Sequence, residues 1–599
     1  MIPQNLGQLF FDTVNRFPDK EAFLFKENGR YESISWSEAS KKVKLIAGSL
    51  LVKGLKAGDR IAILSENRPE WALVDLAAQI SGLITVPIYP SLTSAEIEYI
   101  LSDSGARMIA LSSKAQFEKI PPIERSLPLL NFILAFDSSL EISREQAHVP
   151  LFILKDFMQA EQSPSGGDLS LGPIRGDSVA SIIYTSGTTG IPKGVMLTHQ
   201  NFIQNVLMCR DALKMGETDK HLSFLPLCHV FERLAGHYLM IHIGATIAYA
   251  ESMDTVPQNL IETKPTFVLG VPRFYEKITS RVLEAVNQSS SIRKGLFFWA
   301  KDLGEKKRKA AFEKRNLGFL FRIEYRLAEK LVYHKFKNRL GGQIRFGVSG
   351  GAALSKEIAE FFYDLGIVIY EGYGLTETSP VISVNRENRF KFGSVGIPLE
   401  GIEVKLSAEG EILTKGPCVM KGYYNKPEET NAVLKDGWFY TGDLGAVDKE
   451  GFLSITGRKK ELIVTSGGKK VAPQPIEERA EQDPFILRCV LFGEGRKFIT
   501  ALIVPKKEKV IEYAKNEKII FTDYTNLLKN PVIYRLFEER VENFSKNLAN
   551  FEKIKYFHLL ENDFSQSSGE LTPTLKVKRE VVISRYQYTL LPYYEKHGN

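Results

Sequence analysis

Residues 184–199 read YTSGTTGIPKGVMLTH. The apolar run at 180–184 reads as a strand that enters a loop dense in Thr, Ser and Gly and carrying one lysine, Lys193. Glycines let backbone N–H groups come close to phosphate oxygens, hydroxyls add donors, and the lysine adds charge. A Walker A loop needs Gly-Lys-Ser/Thr, whereas Lys193 follows Pro192 and precedes Gly194. So many glycines and hydroxyls around one lysine point to phosphate binding rather than to a plain polar turn.

Outward from this loop, the chain before about residue 275 alternates helical periodicity with short apolar runs. Helices are expected at 36–53 and 71–81, and strands at 60–64, 83–88 and 108–111. Such alternation predicts layered α/β structure with largely parallel strands. The Ser-, Gly- and Pro-rich stretch 163–177 reads as a loop. Residues 276–340 differ: they are basic and helical in pattern, with KKRKAAFEKR at 306–315 and Leu320, Ile323, Leu327 and Leu331 on one helical face. Two readings of this stretch stand, a helical insertion packed on the body with a solvated basic face, or a patch for an anionic membrane surface. Alternation of α and β returns after residue 342. Short strands and turns dominate 392–455, and the end of the chain alternates strands at 489–492 and 500–504 with helices. There Asn530-Pro531 is a cap followed by a first-turn proline.

Composition narrows the classes. With 599 residues, 44% hydrophobic and 25% charged, the chain is globular and long enough for more than one core. A net charge of +7 over this length does not indicate a nucleic-acid binder. Cys209, Cys228, Cys418 and Cys489 form no CxxC pair, which argues against a disulfide scaffold or a zinc ribbon. The N-terminal residues carry no signal-peptide pattern. The longest candidate for an uncharged apolar run, 237–250, is too short to span a bilayer. A cytoplasmic protein is the expectation.

Further motifs follow in order: EGYGLTET at 371–378, GWFYTGDLG at 437–445 and GRKKELIVTSGGKK at 457–470. Together with YTSGTTGIPKGV they resemble the adenylate-forming enzymes, which include acyl-CoA synthetases, luciferases and peptide-synthetase adenylation domains. The resemblance covers nearly the whole chain. The helical insertion, KNRLGGQIRFGVSGGAALS at 337–355 and GELTPTLKVKR at 569–579 are similar to the long-chain fatty acyl-CoA synthetase branch.

The resemblance implies an α/β fold. A large multilayer N-terminal domain, 1–457, would hold parallel-rich sheets and a small β-rich subdomain, with the insertion at about 276–340. A small mobile C-terminal α/β domain would span 458–599. It implies an ATP- and Mg²⁺-dependent reaction of a long-chain fatty acid to acyl-AMP, then to acyl-CoA with CoA. Thr185, Ser186, Gly187, Thr188, Thr189 and Lys193 would hold the β- and γ-phosphates. Glu377 would bind the metal, Thr376 would contact the α-phosphate, and Tyr373 with Gly374 would lie along the adenine. Gly351, Ala352 and Ala353 match the adenine-side turn, and Asp443 and Arg458 match the ribose contacts. His229 would border the acyl carboxylate. Lys576 would reach the α-phosphate during adenylation, although TPTLK departs from the common PKTxSGK form. Lys460 would be the hinge, with Gly467 and Lys469 on the CoA side.

Three alternatives stand beside this reading. Within the family, the acceptor would be an acyl carrier protein or another non-CoA group. A hydrolase reading takes Gly347-Val348-Ser349-Gly350-Gly351 as a nucleophile elbow, but only His558 and His597 follow Ser349 and the phosphate loop is left unexplained. A non-enzymatic membrane scaffold would use the basic helical segment alone.

Overall fold

The computed structural model describes residues 2–137, 148–159, 173–185, 191–572 and 575–597. The chain separates into two compact units that interleave in sequence. The larger takes Met1–Lys405, Leu413–Thr441 and Val447–Ser454. The smaller takes Leu406–Ile412, Gly442–Ala446 and Ile455–Asn599. The single cut expected at 457/458 therefore stands beside a division that also gives two short earlier pieces to the smaller unit. One of those pieces carries Asp443.

The larger unit is built on two sheets. In the eight-stranded sheet, Val179–Thr185, Ile84–Ile88, Arg60–Leu64, Met108–Leu111, Phe132–Ala135 and Leu151–Ile153 run parallel in that spatial order. Lys193–Thr198 and then Gly422–Tyr423 add antiparallel at the other edge. Period-2 alternation decides which face each residue joins. Ile61 and Ile63 enter one core with the helices Trp36–Val52 and Pro69–Ile80, while Ala62 and Leu64 enter a second core on the opposite face. Both faces are covered, which explains why the strands read as continuous apolar runs.

The nine-stranded sheet has a parallel centre of Glu21–Glu27, Thr246–Tyr249, Lys220–Ser223, Phe267–Gly270, Phe346–Ser349 and Val368–Gly374. Antiparallel strands close both edges. Sequence-local signals set many helix starts. Ser35 and Thr93 each form a capping box with a glutamate three residues on. The smaller unit holds a three-stranded sheet, Ile486–Phe492, Ile499–Pro505 and Ile554–Leu559. Cys489, Leu491, Ala501 and Ile503 face one core, and Val490, Phe492, Leu502 and Val504 face the other. Asn530 caps the helix Pro531–Ser545 by accepting from the Val532 N–H at 2.9 Å.

The insertion is helical, with helices at Pro272–Asn287, Ser291–Phe312 and Phe319–Ala328. The apolar face at Leu320, Ile323 and Leu327 does not pack inward. Ala328 is buried instead, and Phe321 and Tyr325 pack against the core, so the opposite face of that helix is the docked one. All four cysteines are free and buried. Among the described residues, no helix is long and apolar enough to cross a membrane.

Candidate active site

In the larger unit the two ends of the phosphate-loop sequence lie in neighbouring antiparallel strands. Thr185 ends one strand and pairs in register with Lys193, the first residue of the next. Ser186, Gly187, Thr188 and Thr189 lie outside the described residues. Lys193 forms an ion pair with Glu429 of the short helix Pro427–Val433, and its ammonium lies 5.3 Å from the centre of the Tyr423 ring. That pairing holds the Glu429 carboxyl below its usual range. Tyr423 is placed by the added edge strand, where it sits opposite Val195. Its hydroxyl donates to Glu377 Oε1 at 2.9 Å. Burial first, and the charge of Glu377 second, raise the Tyr423 hydroxyl above its ordinary pKa, so it remains a donor. The Met420 N–H also donates to the Glu377 carbonyl at 2.8 Å. The phosphate-loop lysine and the candidate metal ligand, 184 positions apart in the chain, thus belong to one connected cluster.

Glu377 and Thr376 lie in a single 3₁₀ turn, Thr376–Thr378, directly after the strand Val368–Gly374. A Cβ on Gly374 would meet the Pro380 carbonyl oxygen at 1.7 Å, so this strand end tolerates only glycine. Tyr373 precedes it, half-buried and in register with Ser383. Gly351, Ala352 and Ala353 form an exposed turn between the strand Phe346–Ser349 and the helix Lys356–Asp364, with Gly351 at φ +85°. This is the carboxyl end of parallel strands, where open α/β sheets place their ligands.

A residue the sequence reading passed over lies beside this turn. Glu371 is in register with Ser349 across the parallel pair and is buried. Burial pushes its carboxyl up to about 8, against opposing backbone donors at Gly393 and Leu354. The only signal for it was one charged residue inside the otherwise apolar strand sequence VIYEGYG. Ser349 itself is buried, and its hydroxyl finds no partner among the described residues. A nucleophile elbow requires an exposed serine oxygen bonded to a base, and the hydrolase reading fails on that ground.

His229 is half-buried in the loop between the strand Lys220–Ser223 and the π-helical turn Glu232–Tyr238. Its Nδ1 accepts from the Phe231 N–H at 3.2 Å, and its carbonyl accepts from the Arg233 N–H at 3.0 Å. Asn67 anchors the loop by donating to the Leu225 carbonyl at 2.6 Å and accepting from the Leu227 N–H at 2.9 Å. The Arg233 side chain is buried and pairs with Asp75, donates to Ser181 at 2.8 Å, and lies near Tyr238, whose hydroxyl donates to Asp75 at 2.8 Å. This polar core fixes the π turn that follows His229.

In the smaller unit, Asp443 is buried and Arg458 reaches it with Nε 3.0 Å from Oδ1. Lys576 feels both charges. The residue is exposed as a whole, yet its ammonium is brought down to about 8. Desolvation is the larger cause and the Arg458 charge the next, with Asp443, Glu461 and Glu478 opposing. Its backbone is held by Thr572, whose N–H donates to the Lys576 carbonyl at 2.8 Å and whose hydroxyl accepts from the Lys576 N–H at 3.0 Å. Asp443, Arg458 and Lys576 form one electrostatic group although they span 134 positions. Lys460 is exposed in the turn Lys459–Glu461. Gly467 and Lys469 are exposed in the loop between the short strands Ile463–Val464 and Lys470–Val471. A Cβ built on Gly467 meets nothing within 4 Å, so local packing does not demand a glycine there.

Residues 10–424 match the AMP-binding enzyme family, and residues 460–598 match the AMP-binding enzyme C-terminal domain. A long-chain-fatty-acid–CoA ligase of Mycobacterium tuberculosis is 33% identical over 99% of this chain and 97% of its own length. One from Homo sapiens is 31% identical over 99% of this chain and 86% of its own. Among solved structures, the adenylation domain of a carboxylic acid reductase from Segniliparus rugosus, in complex with AMP and a carboxylic acid, has a TM-score of 0.77 at 21% identity. It covers 99% of this chain and 94% of its own. An anthranilate CoA ligase in complex with anthranoyl-AMP has a TM-score of 0.73 at 19% identity, covering 98% of each chain. These structural likenesses establish the fold.

Proposed function

Since the chain belongs to the AMP-binding enzyme family, we propose that it is an AMP-forming ligase that converts a long-chain fatty acid, ATP and CoA to acyl-CoA, AMP and pyrophosphate. The observation that carries this is the connected cluster of Lys193, Tyr423 and Glu377, which joins a phosphate-loop cation to a hard carboxylate ligand. In the first half-reaction a carboxylate oxygen of the fatty acid forms a bond to the α-phosphorus, and the bond from that phosphorus to the bridging oxygen of pyrophosphate breaks. Two anions meet in this step, so cations and aimed donors lower its barrier. Thr185, Ser186, Gly187, Thr188, Thr189 and Lys193 take the departing phosphates. Thr376 and the Lys576 ammonium take the α-phosphate charge, and His229 orients the acyl carboxylate. Tyr373, Gly374 and the turn 351–353 border the adenine, and Asp443 with Arg458 takes the ribose.

Among the described residues no three or more His, Cys, Asp and Glu form a metal cage. One carboxylate plus substrate phosphates is the arrangement Mg²⁺ uses in nucleotide sites, and Glu377, whose Oε1 accepts from the Tyr423 hydroxyl, fits it. Bound there, Mg²⁺ would neutralise phosphate charge. In the second half-reaction the CoA sulfur attacks the acyl carbon, the carbon–oxygen bond to AMP breaks, and the thiol proton passes to solvent. Lys460 is the hinge in this reading, and Gly467 and Lys469 serve the thiol path. A substrate of this class is held largely in membranes or micelles, so the reading extends to peripheral membrane association.

Pyrophosphate release with fatty acid and ATP alone, followed by thioester formation on adding CoA, tests this reading. Pyrophosphate release without any thioester, together with transfer to a carrier-protein thiol, would move the assignment to a non-CoA acceptor. Release of neither product would overturn it.

A further inference from the structure

The helix Phe319–Ala328 is amphipathic with its apolar stripe turned outward. Phe319 and Leu320 are each 76% exposed, and Ile323 and Leu327 each 50%. At about 100° per residue these four positions fall within about 100° of arc, one continuous face. The other face is the docked one: Ala328 is buried, and the Tyr325 ring packs 5.4 Å from that of Tyr333. Outward apolar stripes of this size on a folded chain mark interaction surfaces.

Charge says which kind. Between residues 306 and 330 nine Lys and Arg face three Glu, so this short stretch carries +6 of the chain's +7. The basic run at 306–309 is not all available, because Arg308 is buried and paired with Asp364 at 2.7 Å and Glu360 at 2.8 Å, and Lys309 pairs with Glu305 at 2.7 Å. Arg322 and Arg326 are different. Both are exposed, lie beside the apolar stripe on the same helix, and have no ion-pair partner among the described residues. Glu324 borders the opposite flank. An exposed apolar stripe edged by unpaired arginines is the pattern of a helix lying in the headgroup plane of an anionic bilayer. A second copy of this chain would place those arginines against its own equally basic segment.

We propose that the outward face of the helix Phe319–Ala328 is the site at which this protein docks on an anionic lipid bilayer. The apolar stripe inserts at the headgroup boundary and Arg322 and Arg326 pair with lipid phosphates. This locates the peripheral association included in the proposed function, but it is read by lipid binding and not by turnover.

The experiment is co-sedimentation of the full chain with vesicles of phosphatidylcholine alone or mixed with phosphatidylglycerol, beside a sizing column. Wild type should bind the mixed vesicles, less so at raised salt. Arg322→Gln with Arg326→Gln should lose on the order of tenfold or more in binding to the mixed vesicles. Leu320→Ser with Leu327→Ser should lose binding to both compositions. Pyrophosphate release with a short, monomeric fatty acid should match wild type in both double variants, since none of these residues belongs to the site machinery. Lack of turnover in every protein, with vesicle binding behaving as stated, would sink the ligase reading and leave the docking surface standing. Equal vesicle binding by wild type and both double variants would overturn the docking surface, as would no vesicle binding by wild type. A wild-type dimer that the serine variants convert to monomer would assign the stripe to self-association and overturn it too.

Discussion

Tyr423→Phe removes one oxygen and leaves the rest of the cluster in place. The ring stays buried and continues to face the Lys193 ammonium, but Glu377 Oε1 loses the hydroxyl donated at 2.9 Å. A hydrogen bond to a charged group contributes about 1.5–3 kcal/mol. Glu377 is only half-buried, and water can replace part of that bond, so the lower end applies. At about 1.4 kcal/mol per factor of ten, the loss is about tenfold to thirtyfold in Mg²⁺-dependent adenylation, within the range for outer-shell partners of metal ligands. The assay is pyrophosphate release at fixed ATP over a Mg²⁺ titration. The half-saturating Mg²⁺ concentration should rise by about that factor, with the melting temperature nearly unchanged. Glu377→Ala should cost on the order of 10²-fold or more. Adding Tyr423→Phe to it should then cost little further, because the hydroxyl acts only through that carboxylate. A Mg²⁺ titration identical to wild type, or losses that simply add in the double variant, would refute the coupling of Tyr423 to Glu377.

The other expectations are smaller. Glu429→Gln releases Lys193 from a partly exposed ion pair worth at most about 1 kcal/mol, so KM for ATP should fall by up to about fivefold with kcat little changed; steady-state kinetics checks this. Lys576, with its ammonium near 8, should lose its charge as pH rises through that value. Adenylation should therefore decline above about pH 8, while Lys576→Arg should show no such decline in the same pH series because a guanidinium stays charged. Lys576→Ala should still convert supplied acyl-AMP and CoA to acyl-CoA. Glu371 has a folded-state pKa raised from 4.5 to about 8, so the folded state holds more protons than the unfolded one between those values. Stability should fall as pH rises across that window and level off above it. Glu371→Gln should flatten the dependence, measured by denaturant unfolding at several pH values.

Much of the layered architecture was legible because local rules and burial agree. The strand expected at 60–64 appears as Arg60–Leu64, and the helix expected at 36–53 appears as Trp36–Val52, closed at its start by the Ser35–Glu38 capping box. The stripe at Leu320, Ile323 and Leu327 shows the limit of periodicity. A helical period shows that a face exists, but not whether that face meets protein or water. Here Ala328, Phe321 and Tyr325 on the other side won the contact with the body. Glu371 was missed for the opposite reason, since a charge inside an apolar strand looks like an edge or a break until neighbouring strands bury it.

By itself the sequence determined the element types and the order of the motifs, because glycine, hydroxyl and lysine spacing and apolar period are local properties of a chain. Only the tertiary structure decided that Tyr423 bridges Lys193 to Glu377, and that Asp443, Arg458 and Lys576 share one field in the smaller unit. Those groupings depend on strand register and on which segments fold back together. Residues more than a hundred positions apart meet only when sheet pairing and core packing bring them within a few ångströms. No local spacing records that meeting.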